Sequence, residues 1–161
     1  MRPHRALLAL STVVLCASCS NSTDPSPTSN IVGSWVADSA ASPVGTYVRQ
    51  LTLTQEGKFL LDLRSFGLYE NQQADDLSGY ERTSGTFTVD GDRVIFEPGW
   101  LVLWDFSFGR DAPQKIYAPY PNDHFYDDAH AHVEGDSLTL EFTLYDADSP
   151  RPAKQIFHRD S

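Results

Sequence analysis

His130 and His132 are two residues apart, so on an extended strand both imidazoles project from one face, as a chelating pair must. Asp127 and Asp128 stand just before them and His124 just before those, so that a carboxylate such as Asp128 would complete a site for a divalent cation. A metal site needs a defined ligand number and geometry, however. Exposed histidines on an edge strand of an acidic chain account for the same spacing, and the expectation is no metal and no cofactor. Nucleophilic chemistry has less to stand on. The sequence contains no Gly-x-Ser-x-Gly elbow, no phosphate-cradling glycine loop and no HExxH. The paired acids Asp75-Asp76 and Asp127-Asp128 are sequence neighbours and point to opposite sides of a strand, while Asp90, Asp92 and Asp136 suit turns. The chain therefore reads as a binder and not as an enzyme.

The remaining reactive group is a thiol. Cys16 and Cys19 are the only two cysteines, and both lie near the start. Arg2 and Arg5 are followed by an apolar run from Ala6 to Leu15 that is too short to span a bilayer, and Ala17 and Ser18 precede Cys19. A basic start, a short apolar stretch and small residues before a cut define a secretory signal. The stretch Cys16-Ala17-Ser18-Cys19 resembles the bacterial lipobox, with Cys16 where Leu is usual. The resemblance implies cleavage before Cys19, acylation of that thiol, and a lipid bilayer as the first partner. Ser20 in the next position implies the outer membrane of the cell envelope. Several acyl chains anchor stably where a single one does not.

These readings divide the chain into a signal over 1–18, a lipidated tether over 19–30 and one folded domain over 31–161. The tether, SNSTDPSPTSN after Cys19, has no apolar period and cannot bury a core. The body is one domain's worth of chain. Removing the signal takes away two arginines and no acid, so the formal charge moves from −10 to −12. With no cluster of Lys and Arg, nucleic acid is excluded as an expected partner.

From Ile31 onward, period-two alternation dominates. Phe87 and Val89 alternate with Thr86 and Thr88, Asp90-Gly91 supplies a type I′ turn, and Val94 and Phe96 return. Glu134-Gly135 and Glu56-Gly57 repeat the device. Further strands are predicted over 31–37, 80–86, 100–108 and 154–159. About eight to ten antiparallel strands and no amphipathic helix make the domain all-β, and such a sheet must close or stack to avoid long bare edges. A single up-and-down barrel is expected, with a two-sheet sandwich as the alternative.

Ile31-Val32-Gly33-Ser34-Trp35 resembles the GxW opening strand of lipocalin-like (calycin) barrels, and Gly85 to Asp92 is similar to the hairpins of bacterial lipocalin-like lipoproteins. The resemblance implies that Gly33 lets the chain turn inward, that Trp35 plugs one barrel end, and that Arg159 from the last strand lies over the Trp35 ring in a cation-π contact.

Two segments then bear on function. Trp100, Val102, Trp104, Phe106 and Phe108 share one face of a strand, either as the wall of a ligand cavity or as packed core. The segment from Gly109 to Asp127 is long for a connection and interleaves three prolines with Tyr117, Tyr120, Phe125 and Tyr126. It reads as a lid over one barrel end, or as a loop packed on the outer wall. The expectation is a small apolar ligand bound in the barrel by Trp100, Trp104, Phe106, Tyr117, Tyr120 and Tyr126. A filled barrel whose surface binds another envelope protein is the alternative.

Overall fold

Alternating apolar residues need a strand partner on each side, and the chain satisfies this by pairing each strand with the next. The computed structural model describes residues 30–38, 40–42, 45–106, 111, 113–146 and 149–160. Ten strands follow in order: β1 (Gly33–Ala37), β2 (Ala40–Ser42), β3 (Gly45–Leu53), β4 (Lys58–Phe66), β5 (Leu77–Asp90), β6 (Arg93–Asp105), β7 (Lys115–Tyr117), β8 (Asp127–Glu134), β9 (Ser137–Asp146) and β10 (Ser149–Arg159). β1 pairs with β10 on one side and with β3 on the other, which closes the sheet. Eight strands, β1, β3, β4, β5, β6, β8, β9 and β10, form an antiparallel up-and-down barrel. The short β2 and β7 add to β3 and β6. One continuous closed sheet makes this a barrel and not a sandwich.

The seam between β6 and β8 is the thinnest part of the wall. Only Arg93↔His130 and Val94↔Ala129 pair there, after which β6 takes up β7 from Leu101↔Tyr117 to Leu103↔Lys115. The barrel is therefore complete at one end and parted along this line at the other.

At the complete end the inward residues form the core. Ile31, Trp35, Leu51, Leu53, Phe59, Phe87, Val94, Phe96, Ala129, Leu138, Leu140 and Phe157 are all buried in one cluster. Each large apolar side chain removed from water contributes about 1.5 to 3 kcal/mol. Trp35 is wholly buried, and its indole N–H donates to the Ile31 carbonyl at 2.8 Å, so its one polar atom is satisfied. The guanidinium of Arg159 lies 4.2 Å over the Trp35 ring, the contact that the resemblance implies. Gly33, at φ +148°, occupies a backbone region that side chains avoid, and a Cβ there would come within 2.7 Å of Arg159 Nη1.

A bulge decides what the long β5–β6 ladder presents to the interior. Gly85 pairs with Pro98 but Ser84 pairs with Trp100, so Gly99 is an extra residue in β6. Before the bulge Val94 and Phe96 face the core; after it Leu101, opposite the buried Thr83, takes that face. Trp100, Val102 and Trp104 are thereby turned to the opposite face, where Trp104 packs edge-on against Tyr80 at 5.4 Å and Phe106 at 4.3 Å. The expected aromatic cavity wall is thus a cluster on the outer side of the sheet. Phe108 lies outside the described residues.

Candidate functional site

Beyond the core, the inward face of β3 to β6 continues for two more rungs. The first is Arg49↔Leu63↔Glu81↔Leu103, and the second is Tyr47↔Ser65↔Gly79↔Asp105. All of these residues except Arg49 floor a cavity of about 320 Å³ at the open end of the barrel. Tyr47, Leu63 and Leu103 provide apolar surface there, and Ser65, Glu81 and Asp105 provide polar groups. Gly79 lets the strands approach: a Cβ there would meet the Trp104 carbonyl at 2.6 Å.

The connection from β4 to β5 folds over this cavity and contributes Leu68 and Tyr69 to it. Its backbone is tied by Gly67 N–H donating to the Asp76 carbonyl at 2.9 Å, and Ser78 Oγ accepts from Leu68 N–H at 2.9 Å. The Tyr69 hydroxyl donates to Asp105 Oδ1 at 2.6 Å, which bridges this connection to β6. A mostly apolar chamber with a few placed polar groups, near the lower end of the ~300 to 1,000 Å³ range of ligand sites, suits a compact organic molecule.

Deeper in, the barrel is filled by rings. Phe125 stacks on Phe59 with centroids 5.2 Å apart and meets Phe96 edge-on at 5.9 Å. Tyr126 packs on Phe96 at 5.5 Å and on Phe142 at 4.6 Å. These two residues come from the end of the long segment that the sequence reading makes a lid or an outer-wall loop. They are a wedge driven into the parted seam. Tyr126 and Asp128 both take left-handed backbone, φ 48° and 50°, and the β8–β9 register shifts between Asp127 and His130. Each left-handed non-glycine residue costs about 1 to 2 kcal/mol, which ring burial offsets. His124 bonds Asp127 through Nδ1, and its ring stacks on Tyr145 at 3.7 Å, so the turn is held from outside. Burial pushes the Tyr126 hydroxyl up to about 12, against the nearby Arg49 charge, so this phenol stays neutral.

The other residues singled out by sequence fall as follows. Of those expected to contact ligand, Trp104 borders the mouth cavity, whereas Trp100 and Phe106 do not. Tyr120 meets Phe125 edge-on at 5.6 Å, at the outer side of the wedge. Tyr117 is on the accessory strand β7 and is exposed. His130 and His132 do share the outward face of β8, opposite the buried Ala129, but His130 faces Asp92 at 3.2 Å and Asp128 faces Arg93 at 3.6 Å. Among the described residues no group of three His, Cys, Asp or Glu side chains converges. Cys19, the signal and the tether up to Ser29 lie outside the described residues.

One surface arrangement has the order of a nucleophilic triad: Ser137 Oγ is 3.2 Å from His158 Nδ1, and His158 Nε2 is 3.5 Å from Asp38. His158 and Asp38 are 51% and 88% exposed, so water screens the pair. Sequence reasoning passed over Tyr47, Leu63, Glu81 and Leu103. For Tyr47, Leu63 and Glu81 the signal was present, since each continues the inward parity of its strand; Leu103 turns inward only because of the bulge at Gly99.

No protein-family model matches this sequence, and no curated protein does.

Proposed function

We propose that this protein is a lipocalin-like lipoprotein of the cell envelope that carries a small, largely apolar molecule in the mouth of its barrel. The observation that carries the reading is the 320 Å³ chamber between Tyr47, Leu63, Leu103 and the tied connection bearing Leu68 and Tyr69. The eight-stranded closure and the Arg159 contact over Trp35 support the lipocalin-like assignment. The ligand is shorter than a full barrel would accept, because Phe125 and Tyr126 already occupy the deeper space. Ser65, Glu81 and Asp105 would orient a polar group on it. In this reading the protein binds and does not catalyse.

The anchor rests on the sequence alone. Acylated Cys19 would hold the domain to the membrane, outer rather than inner, through the polar tether. Native mass spectrometry of protein extracted from its own envelope tests the whole reading. A stoichiometric small molecule together with acyl mass on the N-terminal fragment supports it; an empty barrel on an unacylated chain removes it.

A second reading is a surface-binding module for another envelope protein. The observation favouring it is the accessory edge, where Ile116 on β7 is 69% exposed beside the exposed Tyr117. Deleting residues 113–117 would then abolish a co-purifying partner.

A further inference from the structure

Arg49 continues the core parity of β3, two residues from the wholly buried Leu51, and starts from the inner wall of the barrel. Gln155 does the same on β10, two residues from the wholly buried Phe157. Arg49 Nη1 donates across the barrel to Gln155 Oε1, and the guanidinium also lies within hydrogen-bond reach of the Tyr126 hydroxyl. The Tyr126 hydroxyl donates to that same oxygen at 3.2 Å. Arg49 Nε is buried and has no acceptor.

Among the described residues no carboxylate pairs with Arg49. The other charges nearby are engaged elsewhere: Asp38 with His158 at 3.5 Å, and Lys154 with Glu141 at 3.4 Å. Glu81 is on the Arg49 rung but two strands away, with Leu63 between them. Arg64 and Arg82 also have a buried Nε without an acceptor among the described residues, but Arg82 has Asp62 at 2.7 Å, and Arg159 has the Trp35 face; what sets Arg49 apart is the lack of a carboxylate partner beside an open cleft. A guanidinium drawn into a barrel wall is costly unless an anion and hydrogen-bond acceptors meet it. Here one neutral amide oxygen serves two donors, and a third donor has no acceptor among the described residues.

This group opens onto a cleft of about 560 Å³ where β1 has ended and β10 runs on. Ala37, Phe142 and Ile156 give the cleft apolar walls, with Arg49 and Gln155 on its inner side and Asp38 and Lys154 also lining it. We propose that this cleft is a second binding site, distinct from the mouth cavity, that takes a small carboxylic acid with an apolar tail. The carboxylate accepts from the part of the Arg49 guanidinium that borders the cleft, in place of the water that would otherwise solvate that charge. The tail lies on Ala37 and Phe142, the apolar side chains of the cleft that share the inner face of the wall. Asp38 opposes the bound charge and sets a limit on affinity.

The test is calorimetric titration of the full-length protein with octanoate, 1-octanol and octylamine at neutral pH. Octanoate is expected to bind at least about tenfold more tightly than either of the others, a difference of about 1.4 kcal/mol. Arg49→Gln should bring octanoate down to the level of octanol, and Arg49→Lys should keep part of the preference. Should Arg49→Gln fail to fold, Asp38→Asn on the exposed rim still decides: octanoate should tighten while octanol stays unchanged. Ser65→Trp, which fills the mouth cavity, should leave octanoate binding in place. Octanoate binding no better than octanol, persisting in Arg49→Gln, indifferent to Asp38→Asn, or lost in Ser65→Trp would each overturn the proposal.

Discussion

Phe125 lies nearly parallel to Phe59, with ring centroids 5.2 Å apart and planes 25° from one another. One ring comes from the long connection after β7 and the other from β4, so this stack fastens the wedge to the barrel. Truncating it removes contacts to Phe59, Phe96, Tyr120 and Tyr126 together. Phe125→Ala is expected to cost about 3 kcal/mol, as core aromatic truncations do. The same change should open the interior to the neutral probe N-phenyl-1-naphthylamine. Urea unfolding and probe fluorescence measure the two effects on one sample.

Gly33 and Arg159 are coupled through space. A methyl group at Gly33 would both strain the backbone at φ +148° and press on Arg159 Nη1 at 2.7 Å. Arg159→Gln alone should cost about 0.5 to 2 kcal/mol by losing the contact over Trp35. Gly33→Ala should cost more, and the double variant Gly33→Ala/Arg159→Gln should cost less than the two single changes added together. A double-mutant cycle by denaturant unfolding reads this coupling.

Two glycines of the β5–β6 hairpin separate backbone strain from steric exclusion. Gly91 has φ +64° and open space where a Cβ would stand, so Gly91→Ala should cost only about 1 kcal/mol. Gly85 lies at the bulge, where a Cβ would meet the Glu97 carbonyl at 2.0 Å. Gly85→Ala must move backbone, and should lower thermal stability several times more than Gly91→Ala.

Tyr126 makes stability fall at high pH. Its hydroxyl titrates near 12 in the folded chain, mainly because it is buried, against the ordinary value of 10. The unfolded chain therefore loses this proton first. Stability is intact below pH 10, declines as pH rises from 10 to 12, and stops declining above 12, by about 2 to 3 kcal/mol in all. Tyr126→Phe should remove that part of the alkaline slope in urea titrations at stepped pH.

Local signals in the sequence account for most of the fold. Gly91, Gly57 and Gly135 each stand in the turn of a hairpin, because a tight turn needs little beyond its own residues and alternation on either side, but the expected type I′ pair Asp90-Gly91 is displaced by one residue: Asp90 pairs with Arg93, so the loop is Gly91-Asp92, and only the glycine has positive φ. The eight-stranded closure follows from the count of strands that must hide their edges. Faces were harder to read. Pro98-Gly99 interrupts a strand and marks a bulge, yet a straight count of alternate residues runs through it and puts Trp100 and Trp104 on the wrong side. The segments 80–86 and 100–105, read as parts of separate strands, lie within the long strands β5 and β6, and residues 107–108 lie outside the described residues.

The candidate site was less legible than the fold. Arg49 and Gln155 are 106 residues apart and meet only after closure, and nothing in the sequence around either one announces the other. The wedge depends on a parted β6–β8 seam, which arises from the length of β6 and not from a local motif. The mouth cavity, in contrast, is built in part from residues whose parity was visible, Leu63 among them, while Leu103 depends on the bulge at Gly99.

Titration of N-phenyl-1-naphthylamine into wild-type protein and Ser65→Trp tests the central claim most directly. Ser65 is on the outermost inward rung of the mouth cavity, and an indole there would occupy much of its 320 Å³. Saturable one-to-one binding to the wild type, weakened about tenfold or more in Ser65→Trp at unchanged fold, a change of at least about 1.4 kcal/mol, is the predicted result. Equal binding by both proteins, or no saturable binding by either, would contradict a ligand site at the mouth of this barrel.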